Sequence, residues 1–293
     1  MAIGQIRKAL SGYYYVYDNG ELIQCRGRGV FRNRGESPLV GDFVDYDKEH
    51  QSEGYVMKIH ERKNELVRPP IANIDQALLV FSVVEPAFNT VLLDRFLVAL
   101  ESYNVEPIIV LTKMDILTEQ GVKELEPYIR DYEDIGYTVL TTYMDDPTLM
   151  DRLKVYLEGK TSVLAGQSGV GKSTLLNTLL PELKIKTNEI SQSLGRGKHT
   201  TRHGELIEVA NGLLADTPGF SSFDFDTIEK EQLTNCFPEF ARISENCKFR
   251  GCLHIKEPKC AVKEALETGE IKRYRYEHYE QILQEIQDRK PRY

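Results

Sequence analysis

Over the first sixty residues, apolar and polar positions alternate in short bursts. Tyr13–Tyr17, Leu22–Arg28, Asp42–Tyr46 and Tyr55–Ile59 have the period of two that puts successive side chains on opposite faces of a strand. Turn formers separate them, Asp18-Asn19-Gly20 and the Gly/Ser/Pro stretch Gly35–Pro38. The pattern predicts a small β-barrel from Gly12 to Ile59, and five or so strands in about sixty residues suit an OB-fold. Arg68-Pro69-Pro70 then stiffens the chain, since proline fixes φ and restricts its predecessor, and a domain boundary is expected there. Beyond it the period changes. Gln76–Val84, Pro107–Leu111, Tyr137–Thr142 and Thr161–Ala165 read as strands, while Val91–Tyr103, Glu119–Asp134 and a segment ending near Glu158 read as amphipathic helices. Such alternation specifies a parallel sheet covered by helices. After about Asp226 the strand pattern stops, and the chain is helical or irregular up to a final helix near Ile271–Arg289. The predicted architecture is multidomain: an OB-fold β-barrel over residues 1–67, an α/β domain over 68–225 and a mainly helical unit over 226–293.

Composition narrows the function classes. No apolar run approaches the ~20 residues that span a bilayer, so no membrane partner is expected. Five cysteines, three of them clustered near the C-terminus, point to a reducing compartment and to metal binding rather than disulfides. A cytoplasmic protein is the expectation. The net charge of -8 argues against indiscriminate binding to nucleic-acid phosphates. That charge is unevenly spread: residues 1–65 carry 10 basic and 10 acidic side chains, 66–243 carry 16 and 26, and 244–293 carry 11 and 9. The acid lies in the middle, leaving both ends free to meet RNA. Arg26, Arg28, Phe31, Arg32 and Arg34 interleave an aromatic with four arginines, the make-up of an RNA-facing strand and loop or of a solvated hairpin edge.

The middle of the chain carries a phosphate-binding signature. Gly166-Gln167-Ser168-Gly169-Val170-Gly171-Lys172-Ser173, followed by Thr174, fits G-x-x-x-x-G-K-[ST] between the strand Thr161–Ala165 and the helix Thr174–Leu180. In such a loop, backbone N–H groups converge on phosphate oxygens at a helix N-terminus, the lysine reaches the outer phosphates, and Ser173 offers its hydroxyl to Mg²⁺. About forty residues on, Asp216-Thr217-Pro218-Gly219 supplies the carboxylate and glycine amide expected near Mg²⁺ and the γ-phosphate. Between the two, Gly195-Arg196-Gly197-Lys198-His199-Thr200-Thr201 is placed as a switch loop, with Thr201 favoured over Thr200 as the hydroxyl that closes over Mg²⁺. Thr112-Lys113-Met114-Asp115, after an apolar strand, matches N-K-x-D, in which the aspartate accepts from the N1–H and exocyclic amine of guanine. This motif ordinarily follows the D-x-x-G element. Here it precedes the phosphate loop, so the central domain is read as a circularly permuted P-loop GTPase domain with GTP as substrate and Mg²⁺ as cofactor.

Near the C-terminus, Cys247-x4-Cys252-x-His254-x5-Cys260 offers three thiolates and an imidazole, the donor set of a closed tetrahedral zinc site. One structural Zn²⁺ is expected. Cys25 and Cys236 stand apart and read as small core hydrophobes.

The barrel, the base motif ahead of the phosphate loop, the D-T-P-G element and the C-x4-C-x-H-x5-C cluster together resemble the RsgA family, also called YjeQ or YloQ, the circularly permuted GTPases of small-ribosomal-subunit biogenesis. The resemblance covers essentially the whole chain. It implies a late assembly or checkpoint role on the small (30S) ribosomal subunit, with the barrel and zinc domain gripping 16S rRNA and GTP hydrolysis driving release; a monomer is expected. Two positions depart from ordinary GTPases. Thr112 stands where asparagine is usual, and Phe220 stands where Ras-like enzymes carry the glutamine that orients the attacking water. Intrinsic hydrolysis is therefore expected to be slow, with His199 the candidate to complete the site on the ribosome, the plainer role for that residue being part of a basic RNA-facing loop. The loop that braces guanine belongs near Thr141–Met144, where Thr141-Thr142-Tyr143 matches S-A-K poorly. Two rival readings remain at this stage: a P-loop phosphotransferase, for which no acceptor pocket is evident, and a nucleotide-gated RNA-binding scaffold with vestigial hydrolysis, which Phe220 favours.

Overall fold

The computed structural model describes residues 1–29, 31, 35–48, 53–67, 69–181, 204–220, 225 and 228–289, and for 216–220 the backbone alone. The expected switch residues His199, Thr200 and Thr201, together with Arg32, Arg34 and Arg68, lie outside the described residues. The chain forms two compact units, each made of two segments: Met1–Leu78 with Asp146–Phe220, and Leu79–Asp145 with Ser221–Tyr293.

The first unit opens with strands β1 (Ala2–Leu10), β2 (Tyr13–Asp18), β3 (Glu21–Gly27), β4 (Phe43–Lys48) and β5 (Glu53–Ile59). They hydrogen-bond in the order β1-β2-β3-β5-β4, and β4 returns to pair with β1, which closes the barrel. Ile6, Val16, Ile23, Cys25, Val44, Tyr46 and Val56 are buried, as alternation predicts for an interior face. Strand β1 was absent from the sequence pattern, because its buried positions include Gly4 and Gln5, which carry no apolar signal. Gly4 is required there: a Cβ at that position falls 2.5 Å from a Val16 methyl and 2.7 Å from the Tyr17 carbonyl oxygen.

The barrel exit is fixed by charge. Asp42 is fully buried and accepts two hydrogen bonds from Arg62, Nε to Oδ1 at 2.7 Å and Nη2 to Oδ2 at 2.8 Å, with a third from the Leu39 amide. Beyond the barrel, β6 (Glu65–Val67) and β7 (Pro70–Ala72) pair antiparallel in the register Val67↔Pro70.

The rest of the first unit is layered onto the barrel's own sheet. Its strands are β11 (Thr161–Ala165), β12 (Glu205–Val209) and β13 (Gly212–Phe220), in the order β11-β13-β12-β1. β11 and β13 are parallel, β12 and β13 antiparallel. β12 meets β1 at Lys8↔Glu205, where Lys8 Nζ lies 2.8 Å from the Glu205 carboxylate; Arg7 and Glu208 add a second ion pair at 3.6 Å. Gly212 sits so close to helix α3 (Leu149–Leu157) that a Cβ would stand 1.9 Å from the Leu157 carbonyl oxygen.

In the second unit, β8 (Gln76–Ser82, shared by its first residues with the other unit), β9 (Glu106–Thr112) and β10 (Thr138–Thr141) lie in the order β10-β9-β8. The near-continuous burial of β8 and β9 is that of strands covered on both faces, while β10 is half-buried along its length. Helix α1 (Thr90–Ser102) starts at Asn89, whose side chain accepts from the Leu92 amide, and α2 (Glu119–Ile135) starts at Thr118 in the same way, so both helix starts satisfy otherwise orphaned donors. The C-terminal segment contributes α5 (Pro238–Ser244), α6 (Ala261–Thr268) and α7 (Arg273–Gln287), α4 being Lys172–Leu179 of the first unit.

One ionic cluster holds these helices. Arg275 of α7 is fully buried; its Nε and Nη2 donate to Glu239 of α5 at 2.7 and 3.1 Å, and its Nη1 lies 2.5 Å from Asp94 of α1. That last approach is an ion pair rather than an aligned hydrogen bond. Asp94, itself fully buried, also accepts from Tyr132 Oη at 2.6 Å and meets His278 Nδ1 at 2.5 Å. The guanidinium stacks over the Phe237 ring at 4.6 Å. Removing one partner of such a cluster strands a charge. Asp94→Ala is therefore expected to destabilise this unit by about 3–5 kcal/mol, read as faster amide exchange along α7 than in wild type; unchanged exchange there contradicts the role given to the cluster.

Candidate nucleotide and metal sites

The phosphate loop is a strand-to-helix turn built on glycine. β11 is buried throughout, the chain leaves it at Gly166 with φ 135°, passes Gly169 at φ 82° and enters α4 from Gly171 at φ 97°. All three values lie in the region that a side chain disfavours, and each glycine lets the backbone curl so that amides face one centre. Lys172 opens the helix. Its Nζ donates to the Gly166 carbonyl at 2.7 Å and to that of Gln167, so the ammonium is folded over the loop, and burial pushes its pKa down to about 8. Ser173 is half-buried and Thr174 exposed at the first turn, while Val170 anchors the loop from below with 1% exposure.

Strand β13 runs beside this turn. The backbone of the Asp216-Thr217-Pro218-Gly219 segment lies within this strand. The register pairs Ala165 with Phe220, and so lays the backbone of Asp216–Gly219 alongside the strand that leads into Gly166. On its other side Asp216 pairs with Glu205.

The base motif lies in the second unit, at the end of β9. Thr112 is buried and donates from Oγ1 to the Phe81 carbonyl at 3.3 Å, so threonine braces the neighbouring strand in place of asparagine. Lys113 has φ 63° and its Nζ donates to the Glu85 carbonyl. Met114 donates from its amide to Thr142 O at 3.2 Å, and Asp115 Oδ1 accepts from the Met144 amide at 3.3 Å. The segment Thr142–Met144 is thus fastened to the motif through the backbone. That is why its side chains matched no pattern: a contact made by N–H groups leaves no residue-type signature. Its position at the end of β10, next to β9, was the available signal.

In the same unit, Cys247, Cys252, His254 and Cys260 bring one donor atom each to within 4.8 Å of one another, three of the four residues buried. His254 Nδ1 is 3.7 Å from Cys247 Sγ and 3.3 Å from Cys260 Sγ, and those two sulfurs are 4.0 Å apart. A tetrahedral Zn²⁺ with Zn–S of about 2.3 Å and Zn–N of about 2.0 Å has edges of roughly 3.5–3.8 Å, so the donors fit the ion. Burial lowers the His254 pKa, keeping the imidazole in the neutral form a metal ligand needs, and raises that of the Cys252 thiol to about 12, so three thiolates require a cation among them.

Two groups that the sequence did not single out orient this centre. Thr234 Oγ1 lies 3.2 Å from His254 Nε2, leaving Nδ1 to face the sulfurs, and Tyr276 Oη donates to the His254 carbonyl at 2.6 Å. Glu257 accepts from the Leu253, Ile255 and Lys256 amides at 2.9–3.0 Å; burial opposes its ionisation, yet these bonds hold its carboxyl below the usual range. With this donor set, the purified chain is expected to carry one zinc by atomic emission. Cys260→Ser should lower that content at least tenfold and abolish amide protection in α6, whereas a metal-free wild type with intact protection contradicts a structural ion.

Comparison with known proteins agrees with this geometry. The RsgA N-terminal domain model matches residues 3–56 and the RsgA GTPase model residues 59–226. Proteins named small ribosomal subunit biogenesis GTPase RsgA are 60% identical over 293 residues in Geobacillus sp. (strain WCH70) and 58% over 299 residues in Bacillus subtilis (strain 168), with both chains fully covered. Among solved structures, YloQ, a circularly permuted GTPase, superimposes with a TM-score of 0.86 at 52% identity, covering 100% of this chain and 97% of its own. YjeQ from Thermotoga maritima gives 0.86 at 36% identity, covering 98% and 99%. With the barrel, the permuted order of its nucleotide motifs and the zinc cluster all in place, this chain belongs to the RsgA family of GTPases.

Proposed function

We propose that this GTPase acts in late maturation of the small (30S) ribosomal subunit, with residues 1–67 and 226–293 gripping 16S rRNA and residues 68–225 holding the nucleotide. The observation that carries the reading is the end-to-end identity of about 60% with relatives named for small-subunit biogenesis, which leaves no region of the chain unmatched. The uneven charge supports it, since acid is concentrated in the middle and relieved at both ends. We read the protein as a cytoplasmic monomer with no membrane partner. Among the described residues no helix is long and apolar enough to cross a membrane.

In this reading the amides of Gly166–Ser173 cradle the phosphates, Lys172 leaves the carbonyls of Gly166 and Gln167 to neutralise the outer ones, and Ser173 and Thr201 hold Mg²⁺. The metal, when bound, neutralises charge that develops on the phosphate oxygens. Asp216 and the Gly219 amide attend the γ-phosphate. Asp115 selects guanine, its carboxylate steadied by the Met144 amide. Phe220 cannot position water, so an in-line attack needs a group from elsewhere, and His199 takes that role once the subunit orders its loop.

Lys172 sets a pH limit on binding. Its pKa in the free protein is about 8, and bound phosphates raise it, so above pH 8 binding takes up a proton. GTP affinity is then fully present well below pH 8, is already reduced at about pH 8, and falls further as pH rises, approaching about tenfold per pH unit. Titration calorimetry from pH 7.5 to 9.5 checks this, with Lys172→Met expected to bind weakly and to flatten the slope. Hydrolysis by the purified protein is expected to be slow alone, selective for GTP over ATP, and strongly stimulated by isolated small subunits. His199→Ala should lose about 10²-fold of the stimulated rate and keep the basal one. Absence of stimulation in wild type favours the nucleotide-gated scaffold instead, and a fully stimulated His199→Ala removes that residue from the mechanism.

A further inference from the structure

Strand β9 ends in the base motif. At its other end, where Glu106 and Pro107 open the strand, the second unit holds a cavity of about 340 Å³. Two long helices run out there. α1 stops at Ser102, with Asn104 just beyond it in the cavity wall, and α2 stops at Ile135, whose left-handed cap Gly136 is also in the wall. The C-terminal end of a helix carries roughly half an elementary negative charge, which a basic residue in the last turn usually offsets. Neither helix has one. Two carboxylates add to this field, Glu101 from the last turn of α1 and Glu106 from the start of β9. Among the described residues that line the cavity there is no lysine, arginine or histidine to pair with them. Arg275 acts on Glu101 from behind the wall, but it is engaged with Asp94 and Glu239, and the charge of Glu239 opposes its effect.

Tyr137 gives an independent sign of an absent partner. It lines the cavity with 7% exposure, and its hydroxyl favours the ionised form of Glu101 yet makes no aligned hydrogen bond. We propose that this cavity binds a small linear diamine, with one ammonium held by Glu101 and the Tyr137 hydroxyl and the other by Glu106. The ammonium donates to the hydroxyl oxygen, whose own proton turns to Glu101, so the buried group is satisfied as both donor and acceptor. Burial raises the Glu101 pKa, as expected of a carboxyl without a counter-charge, and a bound cation removes that penalty. Size and lining select an organic ligand. A bare Mg²⁺ or Ca²⁺ demands about six to eight oxygens at roughly 2.0–2.6 Å, whereas this volume lies in the range of small-molecule sites, about 300–1,000 Å³. Val105, Ile135 and Pro238 offer apolar wall to a methylene chain between the two charges.

The site stands about 20 Å from Thr112, the length of β9, so its variants are expected to leave the basal GTPase rate unchanged. Calorimetric titration of the full chain with 1,4-diaminobutane at constant ionic strength is expected to show one saturable site, and the diamine to raise Tm. Glu101→Gln should weaken binding at least about tenfold and abolish the rise in Tm. Tyr137→Phe should weaken it about threefold or more, and Glu106→Gln should reduce the diamine to the affinity of butylamine. Wild-type affinity in Glu101→Gln, equal binding of uncharged 1,4-butanediol, or full displacement of the diamine by stoichiometric Mg²⁺ overturns the assignment. Should Glu101→Gln fail to fold, wild-type affinity in both Tyr137→Phe and Glu106→Gln overturns it equally. None of these readouts involves the ribosome, so failure here leaves the proposed function untouched, and failure of subunit stimulation leaves this site untouched.

Discussion

Burying a guanidinium away from water obliges the groups that touch it to be acidic, polar or aromatic, and Arg275 imposes that condition where α1, α5 and α7 meet. A bare arginine charge in such a place costs several kcal/mol. It is tolerated because Asp94 comes from α1 and Glu239 from α5, while Phe237 and Tyr132 face it with their rings. Helix α1, which precedes the base-motif strand, and helices α5 and α7, which flank the zinc cluster in sequence, are thereby committed to a single arrangement. Tyr276, next to Arg275, and Tyr279, one turn along α7 from it, reach the His254 and Leu253 carbonyls, so the metal centre is suspended from the same helix that carries the buried charge.

The phosphate turn and the Asp216 strand belong to the first unit, the Asp115 turn and its bracing loop to the second. Each was legible from sequence because its chemistry is local. Glycines at 166, 169 and 171 are demanded by positive φ within six residues, and three cysteines and a histidine must crowd one ion within fourteen positions. Spacing of that kind is visible in a string of letters.

What stayed hidden depends on partners far away along the chain. Asp94 reads as one more polar position on an amphipathic helix, until His278 arrives from 184 residues downstream. Thr234 becomes a brace for the zinc ligand only because His254 is folded against it. β1 conceals its strand pattern behind a glycine and a glutamine, and β12 is legible only beside β13. The poor match of Thr141-Thr142-Tyr143 has another cause, since its bonds to Met114 and Leu111 are made by main-chain atoms that every residue carries.

The contact of β1 with β12 has a consequence for how the barrel is attached. Across four strands the register runs Tyr15, Lys8, Glu205, Asp216, an unbroken line of backbone neighbours from β2 of the barrel to the strand of the D-x-x-G element. Among the described residues the two strands meet at Lys8↔Glu205, beside which the Ala9 amide donates to the Gly204 carbonyl at 3.4 Å, and the ion pairs of Lys8 with Glu205 and Arg7 with Glu208 reinforce the seam. Ladders elsewhere in the sheet hold by many amide bonds, which ions in solution do not screen, whereas partly exposed charges respond to the ionic medium over a Debye length of about 8–10 Å. The side-chain reinforcement of this seam, unlike its amide bonds, therefore weakens as the ionic medium thickens.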